Sequence, residues 1–487
     1  MTWSDLVALL PIIILGVASV VLVLVLAVIR PRSGRAGHRG LLAAAATASA
    51  GLVLAFLSLL VANTQAPRQV TPLLVVDGYA LFYTGLILAA SLVVVFLAYG
   101  YLQRQNLYGG EFYLLLLMAV LGSTVLVASQ HFASFFLGLE ILSVSLYALI
   151  AFPRTRRHGI EAGIKYLVLA AASAAFLLFG MALVYADQGT MAFDSLVLGA
   201  SQGAGPMLLA GVAMMVVGIG FKLAVVPFHL WTPDVYEGAP VPVTAFIATV
   251  SKGGVFALLL RLAVASGGLT SGPIYVVLAA VAIASMFFGN LLALRQRNVK
   301  RLLAYSSIGH LGYLLVALLA GGGLAVTAAT FYLVAYFVTT LAAFGVVTVL
   351  SGPGRDADSM EDYRGLYWRR PALAAIFTVS LLSLIGIPLT AGFVGKFLVL
   401  AAGVGSARWW LVVSLVISSA VGLYYYLRVI VAMFLEALPL EERGPAPPAL
   451  SLAGGVVLGL LGLALLVFGL YPTALVQFIE SAVARFI

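Results

Sequence analysis

Long apolar stretches, separated by short polar segments, run along the whole chain. A helix needs about 20 apolar residues to cross the hydrocarbon core of a bilayer, and the pattern predicts fourteen such spans. The apolar runs are continuous rather than alternating, which excludes a transmembrane β-barrel. The predicted spans are residues 7–29, 41–62, 78–101, 112–128, 131–152, 162–185, 207–226, 241–264, 273–294, 301–320, 325–350, 371–400, 408–434 and 451–471.

This pattern predicts an all-α polytopic membrane protein with a single integral membrane domain over residues 1–487. No soluble domain interrupts the series, and the longest polar stretch is 351–370. Residues 473–487 are expected to form a short amphipathic helix at the membrane interface. The first apolar stretch lacks a basic leader and a small-residue cleavage site, so we expect its helix to be retained.

Composition agrees with a membrane protein and excludes several kinds of chemistry. Hydrophobic residues make up 63% of the 487 residues and charged residues 9%, against roughly 25% charged in soluble domains. The chain has no cysteine, which excludes disulfides, iron–sulfur clusters and thiolate metal sites. There is also no paired-histidine haem pattern, no GxGxxG after a strand and no Walker loop. Redox chemistry or nucleotide hydrolysis coupled to this chain must therefore take place elsewhere.

The net charge of +9 reflects membrane topology rather than nucleic-acid binding. Most of the 26 lysine and arginine residues lie in loops that follow odd-numbered spans. Only Arg68, Arg261, Arg408 and Arg485 are assigned to the opposite side. Basic residues concentrate in cytoplasmic loops, so both termini are predicted to face the outside.

Four lysines, however, fall within predicted spans, where a charge costs at least ~2.5–3.5 kcal/mol and usually marks an ion path. A buried lysine can release a proton near neutral pH, whereas an arginine stays charged. The alternative is that these side chains extend to the interface. That alternative suits Lys165, near the start of its span, and suits Lys252 poorly, at a depth of ~16 Å. The four are Lys165, Lys222, Lys252 and Lys396.

Two further titratable residues lie deep in predicted spans. Glu140 is near the middle of span 5, where a carboxylate must be paired or protonated, and its predicted partners are Lys165 and Lys222. A structural Glu–Lys pair that fixes helix packing is the alternative. His310 lies ten residues into span 10 and is a candidate proton relay because an imidazole titrates near neutral pH. A hydrogen-bonded core histidine without a transport role is the alternative.

Spans 7 and 12 are predicted to be broken. Pro227 follows Lys222 by five residues, and Pro388 precedes Lys396 between glycines. Proline removes a backbone donor, and the carbonyls it frees must be satisfied inside the protein, so a broken span usually lines a cavity. Two breaks with neighbouring lysines indicate inverted repeats with an ion site at each break. The alternative is that both prolines produce kinks for packing alone.

These motifs resemble the antiporter-like membrane subunits of respiratory complex I, the NADH-quinone oxidoreductase, over essentially the whole chain. Larger sister subunits carry a long C-terminal helix, so a chain that ends soon after span 14 is expected in the N-subunit branch. The matching stretches are FLGLEILSVSLYAL, EAGIKYLVLAAASAAFLLFGMALVYA, GFKLAVVPFHLWTPDVYEGAP, SKGGVFALLLRL, KRLLAYSSIGHLGYLLVAL, YRGLYWRRP, LIGIPLTAGFVGKF and GLYYYLRV.

The resemblance implies fourteen helices with two inverted five-helix repeats, over spans 4–8 and 9–13, in an antiporter-like core of about residues 112–434. It also implies a role for each matching residue. Glu140 would be the span-5 glutamate and Lys222 the broken-helix lysine of the first repeat. Lys252 would be the central lysine, and Lys396 the broken-helix lysine of the second repeat.

The implied function is proton translocation as a subunit of an NADH:quinone oxidoreductase, a translocase, with no redox centre, cofactor site or metal site in this chain. NADH, FMN, iron–sulfur clusters and a quinone would be used by other subunits. The expected partners are other membrane-arm subunits, including sister antiporter-like subunits, together with lipids and protons, and no nucleic acid. The expected location is the bacterial inner membrane, with both termini on the outer side.

The predicted proton path starts at the basic face and ends on the outer side. Three alternatives remain for the chain: a subunit of a multisubunit sodium/proton antiporter, which shares much of the pattern; an inert membrane scaffold; and a quinone-binding subunit. The path runs through Glu140, Lys165, Lys222, Lys252, His310 and Lys396.

Overall fold

Helices make up nearly all of the described part of the chain in the computed structural model. The described residues are 2–29, 35–107, 109–154, 156–196, 205–266, 269–270, 272–436 and 452–484. The α-helices are α1 (Trp3–Ala8), α2 (Leu10–Val28), α3 (Arg35–Ala62), α4 (Gly78–Arg104), α5 (Glu111–Ala128), α6 (Phe132–Ile150), α7 (Arg157–Gln188), α8 (Pro206–Leu223), α9 (Trp231–Gly238), α10 (Val241–Phe246), α11 (Lys252–Ala265), α12 (Gly272–Ala293), α13 (Val299–Ala320), α14 (Gly322–Leu350), α15 (Leu366–Arg369), α16 (Pro371–Ile385), α17 (Ala391–Gly405), α18 (Trp409–Phe434), α19 (Leu452–Leu470) and α20 (Thr473–Val483). A small antiparallel hairpin is formed by β1 (Arg68–Thr71) and β2 (Leu74–Val76).

The predicted all-α membrane fold is confirmed. Within the described ranges, thirteen helices are long and apolar enough to cross a membrane, and each coincides with a predicted span. The remaining predicted span, 371–400, consists of the shorter helices α16 and α17. Gly386 ends α16 in the left-handed conformation, which glycine adopts without a steric penalty, and Pro388 follows. The predicted break in span 12 is therefore present.

Span 7 is also broken, and its continuation was not predicted from the sequence. The first helix, α8, ends one residue after Lys222, where Ala224 adopts a left-handed conformation. A turn through Pro227 then leads into the short helix α9. Span 8 is interrupted as well, because the π-helical turn Ile247–Ser251 joins α10 to α11. Such turns occur mostly as single turns inside α-helices and are frequent at functional sites. This one ends immediately before Lys252.

The helices differ in how deeply they are buried, and this decides which side chains can form an interior site. The segment Val241–Ala265 is buried throughout, and α13 and α14 are almost as fully enclosed. By contrast, α2, α7 and α19 leave most of their surface open. Lys252 and His310 therefore lie on central helices, whereas Lys165 lies on a peripheral one.

Arg261 was counted with the outer loops although it falls near the end of predicted span 241–264, and in the structure it lies inside α11 and is buried. Its guanidinium donates two hydrogen bonds of 2.8 Å to the carboxylate of Asp77, which precedes α4. The loop assignment was wrong because hydropathy alone does not distinguish a paired interior arginine from one at a helix end. The predicted amphipathic tail is present as α20, with Ile479 buried and Phe478 exposed. Arg485 lies outside the described residues.

Candidate functional site

The first buried lysine, Lys222, is only 4% exposed near the end of α8. Its ammonium donates a hydrogen bond of 2.7 Å to the Ser143 hydroxyl on α6. It also lies 5.5 Å from the centre of the Tyr166 ring, within the range at which a cation is attracted to an aromatic face. Ser143 is three residues after Glu140, so both lie on one face of α6. This arrangement brings Glu140 and Lys222 into one neighbourhood.

Glu140 and Lys222 nevertheless form no direct ion pair. Their charges are close enough to interact, but the Oε1 atom of Glu140 is buried and has no hydrogen-bond partner among the described residues. A buried carboxylate oxygen without a partner is costly. A closer approach of Lys222 would therefore stabilise the Glu140 carboxylate.

Lys165 does not join this neighbourhood, and its predicted contact with Glu140 is wrong. Its side chain is 44% exposed on the outer surface of α7, where it pairs with Glu161 at 2.7 Å and Asp234 at 3.0 Å. Glu161 and Lys165 are one helical turn apart, the spacing of a common surface pair. Position along a span gives depth but not the face that a side chain occupies, so the sequence could not separate Lys165 from the buried lysines.

Lys252 is the most buried of the six residues of the predicted proton path, hereafter the row, at 1% exposure. Its ammonium donates a hydrogen bond of 2.5 Å to the hydroxyl of Ser307 on α13. It lies 5.3 Å from the centre of the Tyr236 ring, and the Tyr236 hydroxyl is 3.3 Å from the same serine oxygen. Among the described residues, the contacts of this ammonium are thus neutral groups rather than a carboxylate.

His310 lies one turn after Ser307 on α13 and is bonded at both ring nitrogens. Its Nδ1 atom is 2.6 Å from the Tyr332 hydroxyl, and its Nε2 atom is 3.2 Å from the Tyr426 hydroxyl. The Tyr426 hydroxyl also contacts Ser306. A neutral imidazole donates at one nitrogen and accepts at the other. The pair of tyrosines therefore permits either tautomer.

Lys396 lies within α17, and its side chain reaches back to the end of α16. Its ammonium donates to the carbonyls of Leu384 and Ile385, at 3.0 and 2.7 Å, and to the Ser419 hydroxyl at 2.7 Å. These two carbonyls belong to the last turn of α16, and the carbonyls of a last turn have no hydrogen-bond donor within the helix. A Cβ atom at Gly386 would lie 2.8 Å from the Cδ atom of Lys396, so the glycine also makes room for the lysine.

The end of the row opens into a cavity. Lys396 and Ser419 are the polar members of the lining of a cavity of about 300 Å³, together with residues such as Phe393 and Phe397. On its inner side, the Lys396 ammonium is 5.0 Å from the centre of the Tyr313 ring. That ring is in turn 5.4 Å from the imidazole of His310. Lys396 thus lies between the buried histidine and an open cavity.

Several polar partners were missed in the sequence. On α13, serine, histidine and tyrosine recur every three or four residues in AYSSIGHLGY, a spacing that places them on one face of a helix. That pattern could have identified Ser307 beside His310. Tyr332, Tyr426 and Ser143 come from other helices, and only helix packing brings them to the row. In the part of the chain that the structure describes, no three His, Cys, Asp or Glu side chains cluster closely enough to hold a metal ion.

Comparisons with known proteins agree with one another. A sequence model described as "NADH:quinone oxidoreductase/Mrp antiporter, TM" matches residues 129–422. A curated relative, NADH-quinone oxidoreductase subunit N of Ectopseudomonas mendocina, is 51% identical over 439 residues, 89% of each chain. A chain of respiratory complex I from Thermus thermophilus with bound aureothin is 37% identical, with a TM-score of 0.81 over 96% of this chain and 98% of that one. A chain of an archaeal membrane-bound sulfane sulfur reductase is 25% identical, with a TM-score of 0.82 over 99% and 97%.

Proposed function

The chain belongs to the family of NADH:quinone oxidoreductase and Mrp antiporter membrane subunits, as a homologue of subunit N of NADH-quinone oxidoreductase, and we propose that it moves protons along its buried lysines. It is a multi-span membrane subunit of a translocase. One observation carries the proposed path. Lys252 is buried among neutral partners, and His310 lies one helical turn after Ser307, the serine that accepts a hydrogen bond from Lys252. An ammonium held only by a hydroxyl and a ring can give up its proton more readily than one held by a carboxylate.

The proposed path begins at the basic face and ends at the cavity beside Lys396. Lys222 takes up a proton near Glu140, and Lys252 receives it in the centre of the chain. His310 passes it toward Lys396, with serine and tyrosine hydroxyls as neighbours that both donate and accept hydrogen bonds. Lys165 has no part in this proposed path, because its side chain is half-exposed on α7 and pairs with Glu161 and Asp234 at the surface.

Coupling to the redox reaction would act on the Glu140–Lys222 neighbourhood. The Oε1 atom of Glu140 finds no hydrogen-bond partner in the described part of the chain, so small movements of helices α6 and α8 would change how strongly the carboxylate stabilises the ammonium of Lys222. Neighbouring subunits that shift these helices would thereby favour proton uptake or release. The redox groups themselves, NADH, FMN, iron–sulfur clusters and a quinone, would lie in other subunits.

The proposed architecture also includes the inverted repeats, over spans 4–8 and 9–13, within a core of about residues 112–434. A lysine at each broken span, Lys222 beside the end of α8 and Lys396 beside the end of α16, supports this proposal. Sister antiporter-like subunits and lipids would cover the apolar outer surfaces. The membrane would be the bacterial inner membrane, with both termini on its outer side.

The orientation is tested with a reporter that is active only outside the cell. We expect activity when the reporter is fused at the N-terminus or after residue 487, because the basic loops face inward. Inserted within 30–39, or within 351–370 at the exposed Gly354, the reporter is expected to be silent. An active insertion at Gly354 would contradict the proposed orientation.

The transported ion is tested in inverted membrane vesicles that contain the assembled complex. We expect NADH to drive proton uptake at the same rate in sodium-free and sodium-containing buffer, because the row consists of groups that exchange protons. Radioactive sodium inside the vesicles should stay constant during turnover. Proton uptake that requires sodium, with matching sodium movement, would contradict the proposal and favour the sodium/proton antiporter.

A further inference from the structure

A fourth buried lysine lies outside the proposed path. Lys300, the second residue of α13, has no exposed surface. Its ammonium donates three hydrogen bonds: to the backbone carbonyls of Glu237 and Ala239, at 2.7 and 2.8 Å, and to the Asp356 carboxylate at 2.9 Å. An ammonium has three N–H donors, and each one is used here. Such a group is held in one geometry and is suited to fixing its neighbours.

Asp356 provides the counter-charge for this lysine. It lies in the loop after α14, and it accepts further hydrogen bonds from the Arg156 guanidinium at 3.1 Å and the Tyr101 hydroxyl at 2.8 Å. Burial raises the pKa of the Asp356 carboxyl, but the charges of Lys300 and Arg156 outweigh it and lower the pKa below its usual value. The Asp356 carboxylate is therefore ionised at neutral pH.

The two carbonyls bound by Lys300 lie at the end of α9. The last carbonyls of a helix lack helical partners, and a lysine is well suited to satisfy them. An isolated helix of eight residues is not stable on its own, so α9 depends on its neighbours. On its other side, Gly238 packs so closely on α7 that an added Cβ would lie 2.6 Å from the carbonyl oxygen of His158. Helix α9 is thus held between α7 and Lys300.

Helix α9 carries side chains that reach the candidate path. Tyr236, next to the carbonyls that Lys300 binds, places its ring below the Lys252 ammonium and its hydroxyl beside Ser307. At the other end of the helix, Trp231 donates a hydrogen bond of 3.0 Å to the carbonyl of Phe221, the residue before the first broken-span lysine. A displacement of α9 would therefore change the contacts of Tyr236 with Lys252 and Ser307.

We infer that Lys300 and Asp356 are a positioning pair, which sets the end of α9 so that Tyr236 rests against Lys252 and Ser307. Neither residue carries the proton in this scheme. They act on proton transfer through α9. The inference rests on the proposed function, because it assigns a role relative to Lys252 as a proton carrier.

The test compares Lys300→Met, Tyr236→Phe and the double variant with Lys252→Met as a reference. NADH-driven proton uptake and NADH oxidation are measured in inverted vesicles across a pH range, normalised to assembled complex. The difference in proton uptake between the unmodified complex and the Lys252→Met variant is taken as the pumping that passes through this subunit. We expect Lys300→Met to reduce that pumping roughly tenfold, a loss typical of residues that act on a site through intervening structure. The pH profile should shift as it does in Tyr236→Phe.

The double variant decides whether Lys300 acts through Tyr236. Residues that act as one unit give non-additive effects, whereas independent residues give additive ones. We expect the double variant to lose no more pumping than the worse single variant. As a matched control, Arg355→Gln changes the same loop and removes only a surface pair with Asp362, so pumping should match the unmodified protein.

Three results would overturn the inference. One is an additive double variant, and another is a Lys300→Met variant with less assembled complex but an unchanged pH profile, as a purely structural role requires. The third is normal pumping by Lys300→Met. If Lys300→Met fails to assemble, Asp356→Asn keeps the side-chain volume and removes the counter-charge, and the same comparison with Tyr236→Phe decides. Unchanged pumping by Lys252→Met would instead contradict the proposed function and the inference with it.

Discussion

Lys252→Arg is expected to stop proton movement through this subunit while the complex assembles in normal amounts. Arginine keeps the positive charge and roughly the length of lysine, but it does not release its proton. Positioned acid–base groups contribute about 10²–10⁴-fold to proton-transfer rates, so the subunit should pump only at background level. The measurement is NADH-driven proton uptake into inverted vesicles, normalised to the content of assembled complex.

Lys252→Met separates the relay from its rivals. Methionine keeps the volume and removes the charge. No carboxylate of the described ranges contacts Lys252, so the change leaves no adjacent anion uncompensated there. A scaffold role predicts that this variant is harmless or even stabilising, whereas the relay predicts impaired pumping. A role in which only the positive charge matters predicts a harmless Lys252→Arg and a damaging Lys252→Met. Full pumping by Lys252→Arg would therefore end the case for this residue as a carrier.

Lys222→Ala and Glu140→Ala are expected to reduce pumping while the complex still assembles, because each variant leaves the other charge without its nearby partner. Removing one member of a buried pair in direct contact costs roughly 3–5 kcal/mol. These two charges are not in direct contact, so we expect a smaller loss, on the order of tenfold in pumping rate, at about 1.4 kcal/mol per factor of ten. Glu140→Asp, which keeps the charge, should be milder.

Lys165→Ala is the matched control for this experiment. It removes the same kind of side chain from a predicted span, but Lys165 is half-exposed and pairs with Glu161 and Asp234 at the surface. Surface pairs contribute roughly 0–1 kcal/mol, so pumping should fall little. Normal pumping by both Lys222→Ala and Glu140→Ala, measured in the same vesicles, would mean that their neighbourhood is only structural.

Much of the fold was predictable because membrane spans are set by composition over short stretches. Each apolar run needs its backbone hydrogen bonds satisfied within itself, so run length alone identified the spans. The break at Pro388 was predictable for the same local reason, since proline lacks a donor and Gly386 favours a helix end. The π-helical turn before Lys252 was not predictable, because Ile247–Ser251 contains nothing that distinguishes it from an ordinary buried helix.

In the candidate site, too, the sequence identified the residues and the tertiary structure identified their partners. The sequence by itself determined which residues are costly to place in a membrane, and hence that Lys222, Lys252 and Lys396 require an explanation. Only the tertiary structure decided their surroundings: a serine hydroxyl for each of the three, helix-end carbonyls in addition for Lys396, and a surface position for Lys165. The physical reason is that the cost of an intramembrane charge depends on residue type and depth along one helix. Its partners depend on which faces of distant helices meet, and no local pattern encodes that.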